Sequence, residues 1–396
     1  TLFPYTTLFR SLFADDRSVS LFLIILPGVF FTSVYAVIRG FFWGRKFFYT
    51  YSVIELAEEA VMMVAGIILV LSKNGVYEKA KAAALAVLIS YVFSFTASII
   101  TFFVRGGKLK NPLPELKPLM ISSTPITLMR TATSLGGFLI ALILPAALIN
   151  SGISKSDAIA SFGVISGMTM PLLFMPSTII GSISLVLVPE LAENFYKKQS
   201  SSLQSNVEKS LLYSAIIALF IIPIFCACGK FIGLFVYGNE LSGIYLIFAA
   251  PVMLPMSITM ISNSLLNSMG MERKTLLYFI IGGSFLILSI WLLPPFIGNY
   301  SLIVGYFLSF SITAVLNVKL LQKICCKKLA FIKKLTTATL ICPLAGLICY
   351  FTFNVFSKII PEFFAFSAAA GITALCFYFT ICALNVIDYK IDFKKL

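Results

Sequence analysis

The chain has 396 residues, of which 59% are hydrophobic and only 12% charged, and its mean hydropathy is +0.99. A soluble domain is about 45–50% apolar and about 25% charged, so composition alone excludes a soluble enzyme. The formal charge of +14 does not point to nucleic acid, because the basic residues recur in short clusters between apolar runs.

The first residues, Thr1–Ser11, have neither the n-region nor the h-region of a signal peptide, and 1–14 is expected to be a non-native leader. Eleven apolar stretches follow, each long enough to cross ~30 Å of hydrocarbon. They run over 18–40, 52–72, 82–104, 119–149, 158–189, 207–228, 243–268, 275–296, 301–322, 335–356 and 363–387. Prolines inside several of them, among them Pro27, Pro125, Pro171, Pro176, Pro251 and Pro255, predict broken helices backed by neighbouring helices or a wet cavity.

The first span closes on Arg39, a candidate for substrate binding or coupling. The second opens with Glu55, Glu58 and Glu59, which share one helix face by their spacing, so that face is expected to turn away from lipid. One of these carboxylates pairs with Arg130 in the functional reading; in the structural one they form an interfacial cluster with headgroups and Lys46. Arg130 lies inside the fourth span, where an arginine costs roughly 2.5–3.5 kcal/mol and must face a bundle interior or cavity. It offers a planar fork to a pyrophosphate, or it fixes helix packing through an ion pair. Asn263 and Asn267, one turn apart on the seventh span, suit interhelical hydrogen bonds or substrate contacts. Gly136-Gly137 and Gly282-Gly283 are expected to permit close helix contact; no phosphate-loop or dinucleotide fingerprint surrounds them.

The connections orient the spans. Twenty-one of the 30 basic residues fall in one alternating set of loops and eight in the other, with Arg130 inside a span. The positive-inside rule then puts the C-terminus in the cytoplasm and the start outside.

The first and seventh spans look alike. Each has a proline early (Pro27, Pro251), a polar residue twelve positions later (Arg39, Asn263), and an exit of glycine plus basic residues. A six-span unit repeated in parallel would give fourteen helices in the intact protein, with three lying upstream of the first span here. Repeat-built bundles with a site near the midplane are the usual architecture of secondary transporters.

The block Gly152-Ile153-Ser154, Ala158 and Phe162-Gly163-Val164-Ile165-Ser166-Gly167-Met168-Thr169-Met170-Pro171-Leu172-Leu173-Phe174-Met175-Pro176-Ser177 resembles the stage V sporulation protein B-like polysaccharide transporters. The likeness continues through Ser182-Ile183-Ser184-Leu185-Val186-Leu187-Val188-Pro189-Glu190-Leu191-Ala192-Glu193. Those proteins belong to the multidrug/oligosaccharidyl-lipid/polysaccharide (MOP) exporter superfamily. The resemblance implies an all-α integral membrane fold, a two-lobed exporter bundle of which this chain holds helices four to fourteen. The remainder of the first lobe would occupy 15–110, the second lobe 111–325 and two trailing helices 326–396. It further implies flipping of undecaprenyl-linked saccharides, such as peptidoglycan precursor or capsule units, across a bacterial cytoplasmic membrane. The expected partners are the lipid-linked saccharide, the bilayer and a coupling cation or the membrane potential.

Two alternatives stay open. A cation-coupled multidrug exporter of the same superfamily would use a cavity of carboxylates and aromatics. A membrane-embedded glycan enzyme is disfavoured, because there is no histidine, no long extracellular loop, and no nucleophile with a visible base partner. The eight cysteines match no zinc spacing, most lie in apolar runs, and neither a cofactor nor a disulfide is expected.

Overall fold

A computed structural model describes residues 16–45, 47–108, 113–197, 200–325 and 331–384. The expected leader, Lys46 and the basic tail with Lys390, Lys394 and Lys395 lie outside the described residues. Among the described residues the secondary structure is helical throughout, and the chain divides into two compact units between Pro114 and Glu115.

The first unit holds α1 (Asp16–Gly44), α2 (Phe48–Leu71) and α3 (Val76–Val104), with α3 packed along both of its neighbours. The reason is legible on α3. Ala82, Ala86, Ser90, Ser94 and Ser98 recur every fourth residue and are all buried, so a stripe of small side chains lets two helices approach. Two of the serine hydroxyls are met within the helix: Ser90 donates to the Val87 carbonyl at 2.8 Å and Ser98 to the Phe95 carbonyl at 2.8 Å. Aromatic rings close one end, with Phe41 edge-on to Phe102 at 4.8 Å between centroids.

The second unit begins with α4 (Leu113–Asn150) and continues through α5 (Lys155–Val164), α6 (Met170–Phe174), α7 (Ser177–Tyr196) and α8 (Ser200–Tyr237). Next come α9 (Glu240–Ala249), α10 (Met253–Ser268), α11 (Glu272–Leu292) and the short α12 (Pro294–Ile297). It ends with α13 (Tyr300–Cys325), α14 (Phe331–Phe356) and α15 (Glu362–Ala383). α8 packs against α9, α10 and α14; α11 runs along α13; α14 pairs with α15.

Ten of the described helices or helix pairs are long and apolar enough to cross a membrane. α2 coincides with the second expected span, 52–72, which is not among these ten and carries the three glutamates that set it apart. The chain is thus a multi-pass helical membrane protein.

Two of the proline-bearing spans are broken, as their prolines predict. Over 158–189 the helix passes through a π turn at Ile165–Thr169 and ends again at Met175–Pro176. Pro171 has no N–H for the residue 167 carbonyl, and Pro176 none for residue 172, so a regular ladder is impossible at both places. The Thr169 hydroxyl ties the break down by donating to the Ser242 carbonyl of α9 at 3.0 Å. Over 243–268, Pro251 sits in a 3₁₀ turn, Ala250–Val252, that separates α9 from α10. Pro27, its counterpart in the repeat, lies inside an unbroken α1.

One close helix crossing is built from glycine. On Gly243 of α9 a Cβ would lie 2.6 Å from the Lys230 Cα, and on Gly233 of α8 it would lie 2.7 Å from the Gly243 Cα. Gly229 and Gly233 are one turn apart on α8, a small-xxx-small pair that brings two backbones into contact. Nearby, α14 closes on α8 with the Cys228 and Cys349 sulfurs 3.8 Å apart.

Candidate functional site

In the first unit the structure gathers a polar cluster from all three helices. Tyr35, Arg39 and Trp43 follow one another at intervals of four on α1, while Tyr51, Glu55 and Glu58 share a face of α2. The Arg39 guanidinium pairs with Glu55 at 3.7 Å and lies over the Tyr51 ring at 4.8 Å and the Trp43 ring at 5.5 Å. Tyr51 lies beside Glu55, and Glu58 beside Ser94 of α3, whose hydroxyl donates to the Tyr91 carbonyl at 3.2 Å. The Tyr35 hydroxyl is buried with no hydrogen-bond partner among the described residues and lies near Glu55 and Glu58. At the rim Arg105 donates to the Thr50 hydroxyl at 3.2 Å and lies 5.3 Å over Phe47.

Four oxygen-bearing side chains around one compensated arginine suit a proton or a hard cation better than an anion. The three glutamates do not share one environment: Glu55 and Glu58 are half-buried in this cluster, whereas Glu59 is exposed. Among the described residues no three His, Cys, Asp or Glu side chains converge to hold a metal ion.

The remaining candidates lie in the second unit. Arg130 is exposed on α4, and among the described residues its guanidinium has no ion pair or hydrogen bond. α4 has 38 residues, ~57 Å of helix, so its ends alone do not set the depth of Arg130 in a ~30 Å core. Asn263 accepts from the Asn317 amide at 2.8 Å, and the same amide reaches the Ser262 hydroxyl at 2.9 Å, joining α10 to α13. Asn267 accepts from the Thr275 hydroxyl at 2.7 Å across the α10–α11 turn. Both asparagines are thus engaged in holding helices together.

Two apolar grooves flank this bundle. One, of about 940 Å³, lies among α8, α10, α13 and α14; the other, of about 1010 Å³, lies among α4, α11 and α13. The expected close contacts at the glycine pairs hold only in part. Gly282 faces Thr313 and Ser309 of α13, while Gly136, Gly137 and Gly283 face open space in the second groove. Sequence reasoning missed Tyr35, Tyr51 and Ser94 as site residues. The visible signals were the four-residue spacing of Tyr35–Arg39–Trp43 and the small stripe on α3.

No protein-family model matches the chain. It is 24% identical over 223 residues to stage V sporulation protein B of Bacillus subtilis, a match covering 53% of this chain and 43% of that protein. Among solved structures it is similar to a MOP superfamily transporter from Pyrococcus furiosus, with 15% identity and a TM-score of 0.63 over 81% of this chain and 73% of that one. It is also similar to the lipid II flippase MurJ in an inward closed conformation, with 16% identity and a TM-score of 0.57 over 92% and 73%. The chain therefore has the helical fold of the MOP exporter superfamily and resembles stage V sporulation protein B.

Proposed function

We propose that this chain is a transporter, not an enzyme, and flips undecaprenyl-linked saccharides across the bacterial cytoplasmic membrane, with its C-terminus on the cytoplasmic side. The observation that carries this reading is Arg130, a cation in a largely apolar helix with no counter-charge among the described residues. A guanidinium left unpaired in such a setting is costly, and a pyrophosphate headgroup completes it with two charge-assisted bonds. Likeness to a lipid II flippase and to a sporulation protein supports the substrate class. Glu59, exposed on α2, is assigned to a coupled exchange with Arg130. Asn263, Asn267 and Arg39 serve as supports that position helices around the path.

A second reading, a cation-coupled drug exporter, is favoured by the Tyr35–Arg39–Glu55–Glu58 cluster, which suits a proton or cation. One experiment separates the two: the chain is reconstituted in proteoliposomes with fluorescent lipid II on one side, or with a cationic dye under a pH or sodium gradient. Protected lipid II that becomes accessible, and a loss of about tenfold or more for Arg130→Ala, supports the flippase. Dye efflux insensitive to Arg130→Ala but abolished by Glu58→Gln refutes it. Additive losses in Arg130→Ala, Glu59→Gln and the double variant would remove the coupling.

A further inference from the structure

The seam between α8 and α14 is built from prolines and thiols. Each helix carries one internal proline, Pro223 and Pro343. Pro223 has no N–H for the Leu219 carbonyl, and the Cys342 thiol of α14 donates to that carbonyl at 3.8 Å. Pro251 frees the Ile247 carbonyl in the same way, and Cys226 of α8 donates to it at 3.8 Å. Two thiols thus serve carbonyls that proline leaves without a partner in the helix ladder.

The other two thiols meet each other. The Cys228 and Cys349 sulfurs are 3.8 Å apart and both residues are buried. Along the seam Leu219 meets Cys342, Pro223 meets Gly346 and Cys228 meets Cys349, so the two helices run parallel in nearly constant register. The groove of about 940 Å³ follows this seam, and its lining ends at Ala227 on α8 and Tyr350 on α14. Cys228 and Cys349 each adjoin the last lining residue of their helix and therefore sit at the end of the groove. On the proposed topology that end faces outward, toward Lys230 and Lys358, the side on which disulfides persist.

We propose that Cys228 and Cys349 form a peroxide-sensitive modification site, oxidised to a disulfide that clamps α8 to α14 at the outer end of the groove. As packing, the two thiols act like any small apolar side chains; a covalent bond is what alanine or valine there could not supply. Hydrogen peroxide, small and uncharged, is the oxidant. One cysteine attacks as its thiolate and breaks the O–O bond; one oxygen stays as the sulfenic acid and the other leaves as water. The second sulfur displaces the remaining hydroxyl as a further water and the S–S bond forms. The thiol pair loses two electrons, the peroxide gains them, and both thiol protons end in water. The sulfurs must close from 3.8 Å to about 2.05 Å. Burial keeps the thiolate scarce, so the site answers sustained peroxide rather than a brief pulse. Once joined, the segments beyond Pro223 and Pro343 move as one. The clamp requires no assumption about what is carried.

The test uses the full chain in phosphatidylcholine nanodiscs exposed to graded hydrogen peroxide, quenched with catalase and blocked with N-ethylmaleimide. Peptides mapped by mass spectrometry without reductant should include a pair joined through Cys228 and Cys349. The chain should also migrate faster on a non-reducing gel, and dithiothreitol should reverse both changes. In parallel, the rate at which an apolar maleimide labels Cys342 in the groove should fall about fivefold on oxidation and return on reduction. Cys349→Ala should abolish the bond and the peroxide effect on labelling, whereas Cys382→Ser on α15 should leave both. The wild-type chain before and after reduction gives the same readout without any substitution. Absence of the Cys228–Cys349 peptide, at peroxide that oxidises the part-exposed Cys226 and Cys342, would overturn the site. So would a Cys226–Cys342 bond in its place. A Cys228–Cys349 bond that leaves the Cys342 labelling rate unchanged would overturn the clamp.

Discussion

Replacing glycine by alanine should have opposite effects at Gly243 and Gly136, although the chemical change is the same. At Gly243 the new methyl would sit 2.6 Å from the Lys230 Cα, whereas ordinary contact begins at 3.4 Å. The obstacle is backbone and cannot rotate aside, so α8 and α9 must part by most of an ångström. Overpacking of this kind costs about 2–3 kcal/mol, offset by about 0.5–1 kcal/mol from the better helix propensity of alanine. The net is a loss of about 1–2.5 kcal/mol. At Gly136 a Cβ would meet nothing within 4 Å among the described residues beyond its own helix turn, so only the propensity gain of about 0.5–1 kcal/mol remains. The two variants should differ by about 2–3 kcal/mol, a factor of about 30 to 150 in the folding equilibrium. Reversible unfolding in mixed micelles with increasing dodecyl sulfate reads both values on the same scale. Agreement of the two within about 0.5 kcal/mol would show that the α8–α9 crossing is looser than described and refute the reasoning.

Two further outcomes are expected. Asn317→Leu removes bonds of 2.9 and 2.8 Å from α13 to α10. Membrane interhelical bonds average about 0.6 kcal/mol, so the same titration should show a loss of about 1–2 kcal/mol, and no loss would mean that Ser262 and Asn263 are satisfied otherwise. For Arg39 and Glu55, whose side chains are 42% and 45% exposed, a double-mutant cycle with Arg39→Gln and Glu55→Gln should give a coupling of about 0.2–1 kcal/mol that falls as salt rises. A coupling above about 2 kcal/mol, unmoved by salt, would mean that the pair is shut off from water.

How much of this was open to reading depends on the range of the interaction. Crossing a bilayer is a local demand on some twenty residues, so the apolar stretches coincide with the helices, and even α2, with three glutamates, is where 52–72 placed it. Helix ends are another matter. α8 starts at Ser200, well before the apolar run at 207, because the polar turns that extend it carry no hydropathy signal. The π turn at Ile165–Thr169 was equally invisible, since a change of hydrogen-bond register leaves composition untouched. The candidate site shows the same divide. That Arg39 and the glutamates needed company followed from the cost of charge near lipid. That Arg39 meets Glu55, and that Glu58 turns to Ser94, depends on how α1 and α2 register on the small stripe of α3. The asparagines were readable as helix glue, but Asn317, which completes their network, attracted no notice because one amide in an apolar helix is unremarkable by itself.

The π turn has a consequence for variation in this protein. It holds one residue more than an α turn, and each residue advances a helix by ~100°, so every side chain after it is rotated by that angle from where an unbroken helix would aim it. Met170 and Leu173, both buried, owe their inward azimuth to the surplus residue. The segment is therefore more sensitive to length than to identity. Many substitutions within Ile165–Thr169 leave the downstream faces where they are, while loss of a single residue would swing α6 by nearly a third of a turn and unseat Thr169 from Ser242.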